Sequence, residues 1–164
     1  MGTVNMKYLP DLLRRPLKPR PDNFTPLSRT PWGGTKIAAM KVHLGVSAGT
    51  RIGESWEISG HPDFPNRFRI ERDGGSIEVP IGEIAAADPA AFYGARNLKR
   101  FGPQMPFLAK LLNAEQWLSV QVLPKADYKG LKPWEHSKTE AWTILDAEKG
   151  AGIYLGLSEE ATKE

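Results

Sequence analysis

The stretch Leu118-Ser119-Val120-Gln121-Val122-Leu123-Pro124 alternates in character along the chain. Successive side chains of a strand point to opposite faces, so Leu118, Val120 and Val122 share one face and Ser119, Gln121 and Leu123 the other. A second β-rich run, residues 139–146, carries Glu140 near its start. An amide oxygen and a carboxylate on adjacent strands could converge on a metal ion. Lys138 precedes Glu140 by two residues, which on a strand puts both on one side. In residues 54–59, Ser55, Glu57 and Ser59 share one face while Glu54, Trp56 and Ile58 share the other. A carboxylate on an apolar face needs a partner, so Glu54 either meets a cation or lies at a strand end in water. Lys110 interrupts the apolar run 107–112, and such a lysine either snorkels to an edge or points into a cavity that holds an anion. His61, beside Pro62, has no second histidine at ligand spacing and reads as a turn residue.

The elements that must position these groups can be read in order. Residues 1–31 hold six prolines, a density that prevents a long helix and favours extended segments laid along a surface, with Tyr8, Leu9, Leu12 and Leu13 as anchors. Pro31-Trp32-Gly33-Gly34 predicts a tight turn in which the glycines let the backbone approach a neighbour closely. Residues 37–44 fit a helix or a strand. Residues 67–70 and 76–79 flank Asp73-Gly74-Gly75, a hairpin signal. Residues 81–87 are helix-prone, and Asp88-Pro89 supplies a cap and a first-turn proline for a second short helix through Tyr93. A loop through Pro106 leads into the strand carrying Lys110. Residues 125–138 form a polar loop containing His136, more often a solvent-exposed setting for histidine than a ligating one. A last strand, 151–157, follows the Lys149-Gly150 turn, and Ser158-Glu159-Glu160 caps a short terminal helix.

Composition narrows the classes. At 164 residues, with 40% hydrophobic and 25% charged residues, the chain has the profile of one globular domain. The absence of cysteine excludes disulfides and thiolate-bound zinc. No apolar run approaches a membrane span of ~20 residues, and the basic N-terminus lacks a signal peptide's apolar segment, so a cytoplasmic location is expected. The net charge of +3 is concentrated in residues 1–21, where Lys7, Arg14, Arg15, Lys18 and Arg20 face Asp11 alone. The rest of the chain keeps 17 basic and 18 acidic residues. That near-neutral body predicts no nucleic-acid surface.

PWGGTKI, GESWEISGHP, PFLAKLLNA, LSVQVLP and SKTEAW resemble, in order and spacing, segments of class I mannose-6-phosphate isomerases, from about residue 31 to 157. The resemblance implies an all-β cupin or jelly-roll barrel with two or more short helices, preceded by a Pro-rich basic arm, 1–30, so that the domain is 31–164. It implies interconversion of mannose 6-phosphate and fructose 6-phosphate with zinc as cofactor. Gln121 and Glu140 then fall on metal-ligand positions, Lys138 and Glu54 on catalytic-site positions, and Trp32, Lys110 and Ser119 on positions near the sugar or its phosphate.

The family reads Gln-Val-His-Pro where this chain has Gln121-Val122-Leu123-Pro124. Leucine offers no lone pair, which leaves His136 as the candidate substitute. The family's continuation beyond residues 153–157, with a further histidine ligand and an arginine, has no counterpart in this sequence. The barrel is therefore expected to be incomplete, its open edges covered by the arm or by a second copy in a homodimer. The alternative reading is a non-catalytic cupin-like module that binds a hexose phosphate, with no metal.

Overall fold

The computed structural model describes residue 13 and residues 16–72, 74–125, 127–132 and 137–160. Tyr8, Leu9, Leu12 and His136 lie outside them. The chain divides into two compact units, Met1–Trp117 and Leu118–Glu164.

The first unit opens, among its described regular elements, with α1 (Lys36–Lys41) and a single 3-10 turn, Val42–Leu44. This settles the ambiguous stretch 37–44 as helical. Ile37, Ala38 and Lys41 are buried, the spacing of one helix face. The Lys36 N–H donates to Asn113 Oδ1 at 2.8 Å, satisfying a donor that the helix itself leaves free. Gly45 closes the turn at φ 89°.

Strand β1 (Glu54–Ile58) and strands β2 (Arg67–Arg72) and β3 (Gly75–Pro80) come next, then α2 (Ile81–Ala87), α3 (Pro89–Tyr93), α4 (Ala95–Phe101) and β4 (Ala109–Leu112). The result is two two-stranded antiparallel sheets, β1 with β4 and β2 with β3, and short helices. The β2–β3 hairpin forms at the expected glycines, Gly74 at φ 90° and Gly75 at φ 142°. Asp88 caps α3 by accepting from the Ala91 N–H at 3.0 Å, with Pro89 in the first turn as expected. Helix α4 lies where a loop is expected. It carries no buried residue, so it has no apolar stripe to read, and glycines bound it on both sides.

The core is in two parts. Phe68, Ile70, Val79, Ile81 and Ile84 pack between the hairpin and α2, with Leu13 and Leu17 of the arm against them. Ile37, Ala38 and Ile52 form the second, joined by Phe24 and Leu111. Residues 20–25 run along strands of this unit. The Arg20 N–H donates to the Arg67 carbonyl at 2.8 Å on β2, and the Thr25 N–H to the Glu54 carbonyl at 3.1 Å on β1. The Trp56 N–H returns a bond to the Asn23 carbonyl at 2.9 Å.

The second unit departs from expectation. Residues 118–124, 139–146 and 151–157 form no strand ladder among the described residues, and Val120, Val122, Ile144 and Leu155 are exposed. Alternation assigns side chains to faces, but a strand's N–H and C=O groups are satisfied only by a neighbouring strand, which the pattern does not supply. The Lys149-Gly150 turn does form, with the Ala151 N–H donating to the Glu148 carbonyl at 2.9 Å. Glu159 and Glu160, expected to cap a terminal helix, lie in a turn. Residues 161–164 lie outside the described residues.

Candidate functional site

The β1–β4 register places Trp56 opposite Lys110 and Glu54 opposite Leu112. Glu54 and Trp56 share a face by period two, and the lysine reaches diagonally across to that face. Lys110 Nζ lies 2.9 Å from Glu54 Oε1, and Trp56 Nε1–H donates to Glu54 Oε2 at 2.8 Å. Each carboxylate oxygen thus has its own donor. Lys110 also stands over the indole, 5.2 Å from the ring centroid. The side chains are 14% exposed for Glu54 and 23% for Lys110, which makes this a half-desolvated ion pair open to solvent on one side. Of the two readings of Glu54, the structure takes the one in which it meets a cation.

His61, read from sequence as a turn residue, and three residues that pattern reading does not single out, Phe64, Asn66 and Asn23, surround Trp56. Phe64 and His61 pack on the Trp56 ring at centroid distances of 5.1 and 5.6 Å. Asn66, 1% exposed, donates from Nδ2 to the Trp56 carbonyl at 2.9 Å and accepts the Ser59 N–H on Oδ1 at 2.5 Å. A second amide, Asn23 Nδ2, donates to the same carbonyl at 3.1 Å. An asparagine beside a proline signals a turn in sequence, and nothing there announces burial.

Trp32 is half-buried in the turn before α1. A Cβ on Gly33 would overlap the Gly53 backbone, and one on Gly34 the Asn113 and Glu115 side chains, so the expected close approach is real. Arg51, also missed in sequence, donates to the Gly33 and Pro31 carbonyls at 3.0 Å each. Among the described residues Trp32 joins neither Glu54 nor Lys110 by a hydrogen bond, ion pair or ring contact.

In the second unit Gln121 Nε2 donates to Ser119 Oγ at 3.0 Å, consistent with their shared face. Lys138 Nζ lies 2.7 Å from Glu140 Oε1, the same-side placement expected two residues apart. Three pairs are therefore assembled: Glu54 with Lys110, Ser119 with Gln121, and Lys138 with Glu140.

Zinc takes four ligands, typically imidazole, thiolate or carboxylate. Among the described residues no three His, Cys, Asp or Glu side chains converge. Glu140 is engaged by a lysine, and Leu123, with no lone pair, follows Gln121 by two residues. The described donor set does not fit zinc.

Two clefts lie elsewhere in the first unit. One, of about 340 Å³, is lined by Lys18, Arg20, Asp22 and Arg69. Arg20 donates to Asp22 and pairs with Glu78, and its hydrogen bond holds the Asp22 carboxyl below the usual carboxylate range. The other, of about 470 Å³, is lined by Ile81, Ala85, Tyr93 and Met105, and burial pushes the Tyr93 phenol up. Neither is lined by a residue expected at the site.

A carboxylate, an ammonium and an indole on one face of a strand pair form a polar, aromatic-backed site on a small antiparallel framework, the kind of donor and acceptor set that orients a polar ligand. Residues 26–149 match the family described as phosphomannose isomerase type I, catalytic domain, and the chain belongs to that family. It is 31% identical over 134 residues to a mannose-6-phosphate isomerase of Streptococcus mutans, covering 81% of this chain and 39% of that protein. It is 31% identical over 126 residues to mannose-6-phosphate isomerase ManA of Bacillus subtilis, covering 76% of this chain and 36% of the relative. The chain thus spans under two fifths of the length of these relatives. No solved structure matches it. Among the described residues no helix is long and apolar enough to cross a membrane.

Proposed function

We propose that this chain is a mannose-6-phosphate isomerase-like protein whose site takes a hexose phosphate, acting in carbohydrate metabolism in the cytoplasm. The observation that supports this best is the Glu54–Lys110–Trp56 cluster, assembled by the register of β1 and β4 inside the segment matched to the family. In the isomerisation a proton leaves C2 and one is delivered to C1, while a hydroxyl proton passes from O2 to O1. Glu54 and Lys138 are the candidate groups for moving or holding those protons. Lys110, Trp32 and Ser119 are the candidates for orienting the sugar and its phosphate, and Gln121 and Glu140, with His136 as substitute, for holding zinc where it binds. We take residues 31–164 as one cupin-type domain after the arm 1–30.

A second reading, a hexose phosphate-binding module without turnover, is favoured by Leu123 and by the poor donor set for zinc. Zinc content per chain, followed by mannose 6-phosphate titration of the same sample, separates the two. One zinc lost on mutating Gln121 or Glu140 supports the isomerase. Sugar-phosphate binding with no metal supports the module, and neither sinks both. The exposed alternating segments of the second unit suggest pairing with a second copy. A monomer by light scattering at micromolar concentration rejects that.

A further inference from the structure

Strand β1 carries carboxylates of opposite parity, Glu54 and Glu57, and each finds a different lysine. Glu54 meets Lys110. On the other face Lys41 Nζ, on α1, lies 2.6 Å from Glu57 Oε1 and donates to Ser55 Oγ at 2.8 Å and to the Pro21 carbonyl at 2.8 Å. Its three N–H donors are all used. Ser55, 0% exposed, passes its own hydrogen to Glu57 Oε1 at 2.6 Å, so it accepts from the lysine and donates to the carboxylate. The ammonium also lies 5.4 Å from the Phe24 ring centroid. One buried ammonium therefore ties together α1, the arm at residues 21–24 and β1.

A one-residue slip of β1 would exchange its faces, setting Ser55 and Glu57 where Glu54 and Trp56 now meet Lys110. The framework alone does not forbid it, because β1 has only four residue pairs with β4 and an irregularity between Trp56 and Ile58. The three-acceptor seat of Lys41 on Glu57, Ser55 and the Pro21 carbonyl does, because a slip in either direction brings Trp56 into it. The best-attested use of a buried ionic group is to fix register rather than to add stability. We propose that Lys41 is a positioning residue, locking β1 and the arm in the register that presents Glu54 and Trp56 to a bound sugar phosphate. The role rests on the sugar-phosphate reading of that face.

The test is amide hydrogen exchange on the full chain, wild type against Lys41→Met and Glu57→Gln. It is joined to mannose 6-phosphate titration at a temperature where circular dichroism finds each variant fully folded. The Thr25 and Trp56 amides, which bond across the arm–β1 seam, should exchange about tenfold faster in Lys41→Met while the β2–β3 hairpin amides keep their wild-type rates. Mannose 6-phosphate affinity should fall about tenfold in the same variant, with the folded fraction unchanged, a split that a purely structural role would not give. Glu57→Gln, which leaves Lys41 its bonds to Pro21 and Ser55, should move both readouts the same way by less, and decides the matter if Lys41→Met does not fold. Unchanged seam amides, or an equal rise in the hairpin, would overturn the lock. A wild-type protein that does not bind mannose 6-phosphate overturns the reading of the site and with it the positioning role, while the exchange rates still decide whether Lys41 holds the seam.

Discussion

Lys110→Met is the most informative single change at the site. It keeps the apolar stem of the lysine and removes the ammonium, leaving the Glu54 carboxylate, 14% exposed, with the Trp56 N–H as its remaining donor. Breaking a fully buried pair from one side costs ~3–5 kcal/mol, whereas an exposed pair is worth ~0–1 kcal/mol. With both side chains partly exposed and one hydrogen bond retained, the cost should fall between, at about 2 kcal/mol, including the lost contact with the indole. Glu54→Gln keeps the shape but only one acceptor oxygen, so either Lys110 or the Trp56 N–H faces the amide NH2, and it should cost about 1–2 kcal/mol. Urea unfolding followed by circular dichroism measures both. At an m-value of about 1.3 kcal/mol/M the lysine variant should lose roughly 1.5 M in midpoint. The double variant should show a coupling of about 1 kcal/mol. A Lys110→Met midpoint within error of wild type, or costs that simply add, would show that the pair contributes nothing and would remove the physical basis for this face as a built site.

Three further outcomes are expected. Ile84→Ala, at a side chain with 0% exposure, should cost about 3 kcal/mol, while Val122→Ala, at 77% exposure, should stay within about 0.5 kcal/mol; equal effects on the same urea curves would contradict the assigned core. Gly33→Ala drives a Cβ into the Gly53 backbone, where no flexible side chain can yield, and should lower stability by more than about 2 kcal/mol; a wild-type midpoint would mean that the turn is looser than described. Asp22 binds its proton more weakly when folded, because Arg20 donates to it, so its contribution is complete above the ordinary carboxylate range and is lost as pH falls through the lower folded value. The stability difference between wild type and Asp22→Asn should therefore vanish in strong acid and level off toward neutrality, and a difference independent of pH would refute the assignment.

What the sequence revealed depended on how local the signal was. The β2–β3 hairpin, the Asp88-Pro89 helix start and the Trp32-Gly33-Gly34 turn are each specified within a few residues, and all three formed. Helix α4 left no trace because a short helix with no buried face has no periodicity. Residues 118–157 show the opposite failure. Their alternation is plain, yet a ladder needs a partner named by tertiary structure, and none of these segments pairs among the described residues. Within each segment, parity predicted which side chains would lie on one side: Glu54 with Trp56, Ser119 with Gln121, Lys138 with Glu140. It could not predict Lys110 meeting Glu54, which depends on cross-strand register, nor the buried amides of Asn66 and Asn23 that fix the Trp56 carbonyl.

That register is the step at which sequence and chemistry meet in this fold. Period two gives β1 two faces, and hydrophobicity separates them, Trp56 and Ile58 with Glu54 on one against Ser55, Glu57 and Ser59 on the other. Both faces also carry a carboxylate, and each carboxylate meets its own cation. Lys110 and Lys41 approach from β4 and α1 and, being separate chains of contact, must both be satisfied by one register. Only the observed register seats Lys41, a residue 6% exposed, on both Ser55 and Glu57, while a one-residue slip in either direction brings Trp56 into that face. The order in which sequence features act is therefore hydrophobic alternation first, charge parity second, and the shared face of Glu54, Trp56 and Lys110 as their consequence.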